Sequence, residues 1–569
     1  MRLKELYAEI LQPVVGLSVE EIVKLIEVPP NEELGDLAFP CFLLSKQLKK
    51  SPAIVALDLV GKITKNKYVS EVKVVGPYIN AFMVASEIAS VVLSSIQKSG
   101  NEYPKIALGT GKTVVIDFSS PNIAKPLGIH HIRTTMIGNS IAKIHQKLGY
   151  RVVRLNYLGD WGTQFGKLIV AYKKWGHEIK ELSVNEINNL YVRFSKLAIE
   201  NPSLDEEARN WFKKLEDGDE EALKLWQTLK EISLLELKRI YKRLNVDFDV
   251  YSGESFHEKT IKKVIEECKT KELAVISEGA LVVKSDNEKE PPCLLLKSDG
   301  ATTYQLRDIA AMIDRYDQFQ FTKMFYVVAQ DQALHLKQVF DVVQKMGREY
   351  SKGCSHIAFG LLRFQDAKIA TRAGNVILLE EVLDTAIEKV KEIIAARGAE
   401  SQVTEESIKM IAQGAIVFAD LSTKRTKNVE FIWEEILNFD GDTGPYLQYS
   451  VARGKSIVRK SGMLLDETVN FQLLSTTYEK QLLLKLEQFE SVIINAAENC
   501  EPSVIANYLL ALAKVCNRMI HSGKENVEMR VIQENNPELQ KARTALIHAT
   551  AIVLEEGLAL MGISSPDAM

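Results

Sequence analysis

Four side chains that can bind anions lie close together in the segment SSPNIAKPLGIHHIRTT: Lys125, His130, His131 and Arg133. Such groups suit phosphate oxygens, and histidines also bind metals. Adjacent histidines diverge on a helix, however, and no neighbouring cysteine or acidic cluster completes a metal site. An anion site and a solvated basic loop therefore remain as the two interpretations.

The elements around this loop favour the anion site. The β-branched run TVVIDF predicts a buried parallel strand, and RVVRLNYLG predicts a second one. Between them a helix is predicted from His131 to Gly149, with apolar residues at helical spacing: Ile132, Met136, Ile137, Ile141, Ile144 and Leu148. This is a βαβ unit, in which ligands bind beyond the carboxyl ends of the strands and phosphates bind at the helix N-terminus.

A second group of side chains suits a cation. Tyr304 and Asp308 are four residues apart in a predicted helix and so share one face. A carboxylate in fixed geometry can bind a planar guanidinium through several hydrogen bonds. The alternative for Asp308 is a surface carboxylate paired with Arg307 or Arg315.

Two long segments, SSPNIAKPLGIHHIRTTMIGN and NYLGDWGTQFGKLIVAYKKWG, resemble the signature region of class I aminoacyl-tRNA synthetases, and specifically of the arginyl-tRNA synthetase family. The resemblance implies an enzyme that activates L-arginine with ATP to arginyl-adenylate. It then transfers the arginyl group to the 3′ end of arginine tRNA, releasing AMP and pyrophosphate. Two alternatives are a nucleotidyltransferase that acts without tRNA and a catalytically silent relative that only binds tRNA.

The resemblance also implies a nucleotide site. Its predicted catalytic residues are Lys125, His131 and Lys368, and its predicted ATP-binding residues are Gly128, His130, Gly360, Leu361 and Arg372. Magnesium is expected to enter with ATP, and no protein-bound structural metal is expected.

This sequence departs from the family pattern at two places. The histidine motif H-x-G-H reads Gly128, Ile129, His130, His131, so we expect adenine to pack against the His130 ring. The loop motif K-M-S-K-S reads KIATR, with Thr371 where the family has its second lysine. In many members of the family a lysine upstream of the histidine motif supplies that charge, and Lys125 matches it. Charge near the transferring phosphate matters more than the loop that delivers it.

The resemblance implies an arginine pocket as well. Its predicted residues are Asp117, Asn122, Tyr304, Asp308 and Gln332. His335 is another family match, with simple packing as the alternative.

Composition sets broader limits. The 569 residues are 46% hydrophobic and 26% charged, and 71 basic against 75 acidic residues give a net charge of −4. This charge does not indicate a nucleic-acid-binding protein, but a local basic track is sufficient for one. No apolar run approaches the roughly 18 residues of a membrane helix, and no secretory signal is apparent. The six cysteines lack C-x-x-C spacing, so a reducing cytoplasm is expected, and we expect a monomer.

The predicted fold class is α/β, a Rossmann-type class I synthetase catalytic domain with a helical insertion, an N-terminal α+β domain and a C-terminal all-α anticodon-binding bundle. The predicted boundaries are 1–105 for the N-terminal, tRNA-contacting domain, 106–376 for the catalytic domain with its insertion at about 168–272, 377–440 for a helical connector, and 441–569 for the bundle. Candidates for tRNA contact in the bundle are Tyr446, Tyr449, Arg453, Tyr508 and Asn517.

Overall fold

The computed structural model of the chain describes residues 2–179, 182–364, 377–398, 403–465, 469–533 and 535–569. Its N-terminal region is a small α+β unit. Its helices and strands, numbered here along the chain, are α1 (Arg2–Val15), α2 (Val19–Leu25), β1 (Leu37–Pro40), α3 (Phe42–Leu48), α4 (Pro52–Val60), β2 (Val69–Val75), β3 (Tyr78–Met83) and α5 (Ala85–Ser99). The strands pair antiparallel in the order β1-β3-β2. The fully buried Tyr7 of α1 donates its hydroxyl to the Ile79 carbonyl at 2.7 Å, which ties helix to sheet.

The middle of the chain is built on a five-stranded parallel sheet. Its elements in chain order are β4 (Thr113–Asp117), α6 (His131–Lys147), β5 (Arg151–Leu158), α7 (Thr163–Trp175), α8 (Val184–Glu200), α9 (Ser203–Glu216), α10 (Glu220–Arg243), β6 (Val250–Gly253), α11 (Glu258–Thr270), β7 (Ala274–Ser277), β8 (Ala280–Val283), β9 (Cys293–Leu296), α12 (Tyr304–Phe319), β10 (Lys323–Tyr326), α13 (Ala333–Lys345), β11 (Cys354–His356) and β12 (Leu362–Phe364). The order in the sheet is β11-β10-β4-β5-β6, with every pair parallel.

The predicted βαβ unit is present as β4, α6 and β5. Val114, Val115 and Ile116 are fully buried, as expected of a strand covered on both faces. Gly149 follows α6 at a φ of +84°, a left-handed conformation that glycine adopts readily and that ends the helix before β5.

The predicted insertion, residues 168–272, is mostly helical but contains one strand that the sequence did not reveal. Helices α8, α9 and α10 lie in this range, and β6 follows them and pairs with β5 at the edge of the parallel sheet. The strand was missed because its sequence, VYSG, is short and has no apolar run. It nevertheless adds another carboxyl end to the edge of the parallel sheet at which such folds commonly bind ligands.

The remaining residues are largely helical. Their elements are α14 (Leu379–Ala396), α15 (Glu405–Leu421), β13 (Val429–Phe431), α16 (Trp433–Ile436), α17 (Gly444–Ser461), α18 (Thr477–Glu487), α19 (Phe489–Glu498), α20 (Ser503–Glu525) and α21 (Pro537–Leu560). Strand β13 pairs in parallel with β12. The Ser140 hydroxyl of α6 donates to the Leu560 carbonyl at 2.9 Å, and one continuous apolar core includes residues from all three regions.

Within the described ranges, no helix has both the length and the apolar character needed to cross a membrane.

Candidate active site

The loop after β4 has an unusual backbone that a helix of the insertion holds in place. Ser119, Ser120 and Ala124 all have positive φ, at 71°, 46° and 66°. The Ser119 and Tyr241 hydroxyls lie 2.7 Å apart, and the Ser233 hydroxyl accepts the Ala124 N–H at 3.0 Å. Tyr241 and Ser233 both belong to α10. Residues kept in such conformations by their surroundings cluster at functional sites.

The N-terminus of α6 carries the predicted phosphate-binding group. The His130 and His131 ring centres lie 4.0 Å apart, and His131 Nδ1 lies 3.2 Å from the Gly128 carbonyl oxygen. Burial lowers the pKa of both imidazoles, that of His131 to about 4 with a further contribution from His130. Lys125 is exposed, with its ammonium 5.0 Å from the centre of the Tyr191 ring. At neutral pH the group therefore consists of one exposed cation and two neutral rings.

Arg133 does not belong to this group, contrary to the sequence interpretation. Its side chain is 1% exposed, with Nε 2.8 Å from Asp420 Oδ1, and Nη1 donates to the Gly360 and Lys427 carbonyls at 2.8 Å each. Two residues along an α-helix correspond to a rotation of about 200°, so Arg133 and His131 point to nearly opposite sides.

The predicted adenine-contacting residues lie between β11 and β12. The Gly360 N–H donates to the Arg425 carbonyl at 2.9 Å, and the Leu361 N–H donates to Asn428 Oδ1 at 2.8 Å. The Leu361 side chain is 59% exposed. Both N–H groups are thus used within the protein, while Gly360 is partly exposed and the Leu361 side chain is open to a ligand.

Lys368 and Arg372, both predicted to bind the nucleotide, lie outside the described residues. The chain on the far side of that gap pairs directly with the histidine motif. The Ile129 N–H donates to the Ile377 carbonyl at 2.8 Å, and the Leu379 N–H donates to the Leu127 carbonyl at 2.9 Å. The residue that follows the predicted loop is therefore next to the N-terminus of α6.

Asp308 and Tyr304 lie on α12 as predicted. The Asp308 carboxylate is 2.6 Å from His335 Nε2 and forms no ion pair with Arg307 or Arg315 among the described contacts, so the surface-pair interpretation is wrong. Tyr304 is the first residue of the helix and is 69% exposed. His335 therefore holds Asp308 instead of only packing in the core.

Asp117 is buried at the end of β4 and is already paired. Its Oδ2 lies 3.0 Å from Arg315 Nη1, and its Oδ1 accepts the Ser120 hydroxyl at 3.0 Å. Burial raises the pKa of Asp117, while the Arg315 guanidinium and the Ser120 hydroxyl oppose the rise. Arg315 also lies over the Tyr157 ring, 4.7 Å from its centre. The sequence pattern gave no sign of this pair.

Asn122 and Gln332 are exposed at the same edge of the sheet. Asn122 pairs in parallel with Gly159, where a Cβ would lie 2.0 Å from Asn122 Oδ1. Glycine is therefore required for the two loops to approach this closely. Gln332 ends a short 3-10 turn after β10.

Glu254 was not predicted from the sequence, and it lies close to Asp308. Together with Asp117, these two carboxylates form the acidic group of the site. Glu254 follows β6, and its carboxylate is 2.5 Å from Arg307 Nη1. Burial raises the pKa of Glu254; Arg307 opposes the rise, while Asp308 and Asp160 add to it. The signal that would have identified it is its position after a strand of the parallel sheet, but that strand was itself not predicted.

Comparison with known proteins identifies the chain. Residues 92–433 match the family described as "tRNA synthetases class I (R), catalytic domain", residues 1–83 match "Arginyl tRNA synthetase N terminal domain", and residues 447–569 match "DALR anticodon binding domain". The chain belongs to the arginyl-tRNA synthetase family.

Individual relatives agree with this identification over the whole chain. The chain is 43% identical to an "Arginine--tRNA ligase" of Clostridium perfringens, covering 100% of both sequences. It is 44% identical to "Arginine--tRNA ligase 1" of Bacillus cereus, covering 97% of both. A solved structure of Thermus thermophilus arginyl-tRNA synthetase matches with a TM-score of 0.80 and 25% identity, over 100% of this chain and 99% of that one. The predicted family, fold class and arginine–tRNA ligase activity are confirmed, whereas the domain boundaries and residue roles stay predictions.

In this member of the arginyl-tRNA synthetase family, the C-terminal helices enclose a groove of about 960 Å³. Tyr446, Tyr449, Arg453 and Asn517 line it, and Asn517 Nδ2 donates to the Tyr446 hydroxyl at 3.0 Å. Tyr508 was predicted beside them, but it is buried and does not line the groove. Four of the five residues predicted for tRNA contact thus face one cavity.

Among the residues that the structure describes, no group of three or more histidine, cysteine, aspartate or glutamate side chains is arranged to hold a metal ion.

Proposed function

We propose that the chain activates L-arginine with ATP and transfers the arginyl group to the 3′ end of arginine tRNA, with the two substrates bound on separate sides of one sheet edge. The observation that carries this assignment is a division of charge. Lys125 and the neutral imidazoles lie in the loop before α6 and at its N-terminus. Asp117 ends β4, Asp308 lies in the second turn of α12, and Glu254 follows β6. An anionic triphosphate and a cationic side chain need such a division.

On the nucleotide side, the N-terminus of α6 provides the positive end of a helix dipole, while its first two N–H groups, those of His131 and Ile132, donate to the Gly128 and Ile129 carbonyls. Lys125 and His131 contact the triphosphate there, with Gly128 and the His130 ring beside the base. Lys368 and Arg372 are assigned to the same triphosphate by family resemblance. Gly360 and Leu361 form the opposite wall of the adenine site.

On the arginine side, Asp308 accepts hydrogen bonds from the guanidinium, and the Glu254 carboxylate adds negative charge beside it. Asp117 at the end of β4 and Asn122 in the following loop hold the polar groups of the substrate, with Gln332 across the sheet edge and Tyr304 at the entrance. Since Asp308 and Glu254 each have a basic partner in the protein, the substrate cation shares these carboxylates with His335 and Arg307.

The reaction needs no nucleophilic side chain. A carboxylate oxygen of arginine attacks the α-phosphorus of ATP, and the bond to the bridging oxygen breaks to release pyrophosphate. The 3′-terminal hydroxyl of the tRNA then attacks the arginyl carbonyl carbon, loses its proton, and AMP leaves. The protein contributes positioning and electrostatic stabilisation of the charge that builds on phosphate oxygens.

Magnesium is assigned to the nucleotide and not to the protein. The described groups at the α6 N-terminus are a lysine and histidines, whereas magnesium prefers oxygen ligands such as carboxylates and phosphates. Its site would therefore be supplied mainly by the triphosphate, and the ion would supply positive charge close to the phosphate oxygens. We further assign the chain to the cytoplasm, acting as a monomer.

The C-terminal groove is assigned to the anticodon. Tyr449 is 41% exposed, and Arg453, Lys514 and Arg518 line the same cavity. Exposed aromatic rings stack on unpaired bases, and the basic side chains contact the backbone.

The experiment that tests this function is exchange of pyrophosphate into ATP, with arginine, lysine or glutamine as the amino acid and with or without arginine tRNA. We expect exchange with arginine alone among the three. Exchange that appears only when tRNA is added would also establish tRNA-dependent activation. Tight tRNA binding without exchange under either condition would instead support a catalytically silent relative.

A further inference from the structure

The segment 358–361 connects β11 to β12 and borders the proposed adenine site. It lies at the carboxyl edge of the parallel sheet, where Phe359 pairs in parallel with Ala329 and accepts the Gln330 N–H at 3.3 Å. It follows the last strand of that sheet and leads into β12, directly before the stretch that contains Lys368. A shift of this segment would therefore move residues that border the proposed adenine site.

Arg425 holds this segment through both its backbone and its side chain. Arg425 Nη1 donates to the Ala358 carbonyl at 2.5 Å, and the Arg425 carbonyl accepts the Gly360 N–H at 2.9 Å. Three residues later, Asn428 accepts the Leu361 N–H at 2.8 Å. Consecutive backbone groups of the segment are thus fixed by one short loop.

The other donors of Arg425 reach a different part of the molecule. Arg425 Nε donates to the Cys500 carbonyl at 3.1 Å, and its backbone N–H donates to both oxygens of Glu501 at 3.2 and 3.3 Å. Cys500 and Glu501 form the turn between α19 and α20, the helix that lines the C-terminal groove. One guanidinium therefore bridges the proposed adenine wall and the C-terminal helices.

Arg133 of α6 also donates hydrogen bonds to this segment and to Arg425. Its Nη1 donates to the Gly360 carbonyl, and its Nη2 donates to the Arg425 carbonyl at 3.3 Å. A Cβ at Gly360 would lie 2.6 Å from the Lys427 carbonyl oxygen, so segment and loop are packed without spare room. A displacement of the loop formed by residues 425–428 would therefore also move Gly360.

We propose that Arg425 is a positioning residue that fixes the 358–361 segment at the nucleotide site and joins it to the turn between α19 and α20. The planar guanidinium is suited to this because its donors point in fixed directions and reach two carbonyls at once, which a lysine ammonium on a flexible stem does not reproduce. The inference rests on the proposed role of Gly360 and Leu361 in binding ATP.

The test compares Arg425→Met, Arg425→Lys and Asn428→Ala with the wild-type chain. Arg397→Met is the matched control, because Arg397 pairs with Asp440 and makes no described contact with the segment. ATP affinity is measured directly by calorimetry, and KM for ATP and for arginine by exchange. Thermal unfolding of each variant reports its stability separately.

We expect Arg425→Met to weaken ATP binding about tenfold, corresponding to the loss of charge-assisted hydrogen bonds, with KM for arginine changed less than about twofold. Arg425→Lys should recover part of the loss, Asn428→Ala should cause a smaller loss of the same kind, and Arg397→Met should cause none. Unchanged ATP affinity in both Arg425 variants, or equal rises in KM for ATP and arginine, would overturn the inference. If the wild type lacked arginine-dependent exchange while Arg425→Met still lost ATP affinity, the proposed function would fail and the positioning role would stand.

Discussion

Two aspartates on α12 form almost identical pairs with histidines but lie in different surroundings. Asp308 lies 2.6 Å from His335 Nε2 beside the acidic group, whereas Asp314 lies 2.6 Å from His257 Nδ1. We expect Asp308→Asn to raise KM for arginine about 10- to 100-fold, because a hydrogen-bonded charge is lost, with ATP affinity unchanged. Asp314→Asn is the matched control and should leave both constants alone. Exchange kinetics and ATP calorimetry measure the two effects, and equal losses for both substrates would contradict the assignment of Asp308.

The protonation of His131 gives a second prediction for a single residue. Its Nδ1–H donates to the Gly128 carbonyl, so Nε2 of the neutral ring has no proton to donate to a phosphate. Burial and His130 lower its pKa to about 4, and a triphosphate nearby raises the pKa by favouring the cation. ATP binding should therefore take up protons at His131, and the uptake should fall as pH rises above the pKa of the complex.

Calorimetry in buffers with different ionisation enthalpies measures this uptake. His131→Gln should bind ATP with less proton uptake than the wild type, which separates the histidine from the protons of ATP itself. His130→Gln is the control, and it should retain most of the uptake. The same uptake in wild type and His131→Gln would show that His131 stays neutral in the complex.

At the level of elements, the sequence predicts those helices and strands whose apolar residues follow a regular local spacing. Strand β4, helix α6 and strand β5 were predicted because β-branched runs and helical spacing are local properties. Arg133 was assigned to the wrong side of α6 because closeness in sequence does not imply a shared helix face. Glu254 was missed because β6 has no apolar pattern, and the Asp117–Arg315 pair was missed because it joins β4 to α12 through tertiary packing alone. Family resemblance, and not periodicity, supplied the remaining pocket residues.

The pair between β4 and α12 leads to a prediction about pH. Arg315→Met leaves the buried Asp117 carboxylate without its cation, so the pKa of Asp117, already raised by burial, should rise further. The Ser120 hydroxyl donates a hydrogen bond to Asp117 and favours its ionised form. The nearby Asp308 carboxylate repels the Asp117 charge and favours protonation of Asp117. The variant should lose about 3–5 kcal/mol of stability, and its KM for arginine should fall as pH rises and Asp117 ionises.

Exchange assays across neutral pH and thermal unfolding measure the two parts of this prediction. Asp117→Asn combined with Arg315→Met removes the titrating group, so the pH dependence of KM should disappear and some stability should return. A KM for arginine that is independent of pH in Arg315→Met would mean that the ionisation of Asp117 does not affect arginine binding.

At the level of the whole molecule, distant parts of the chain meet on the catalytic domain. The α10 helix of the insertion holds the loop after β4 through Tyr241 and Ser233, and the turn before α20 reaches the nucleotide wall through Arg425. One apolar core continues through these contacts. The proposed binding sites at the C-terminal groove and at the sheet edge therefore lie on parts of the chain that are directly connected.

The C-terminal groove itself is tested most directly at Tyr449. Its ring is 41% exposed and lines the cavity, so Tyr449→Ala should raise KM for arginine tRNA about tenfold, through loss of base stacking. Tyr449→Phe keeps the ring and should retain nearly normal affinity, and KM for arginine should be unchanged in both. Aminoacylation at several salt concentrations measures these constants and separates stacking from phosphate contacts, because only the latter change the salt dependence. Equal effects of Ala and Phe would place the hydroxyl, and not the aromatic face, at the RNA.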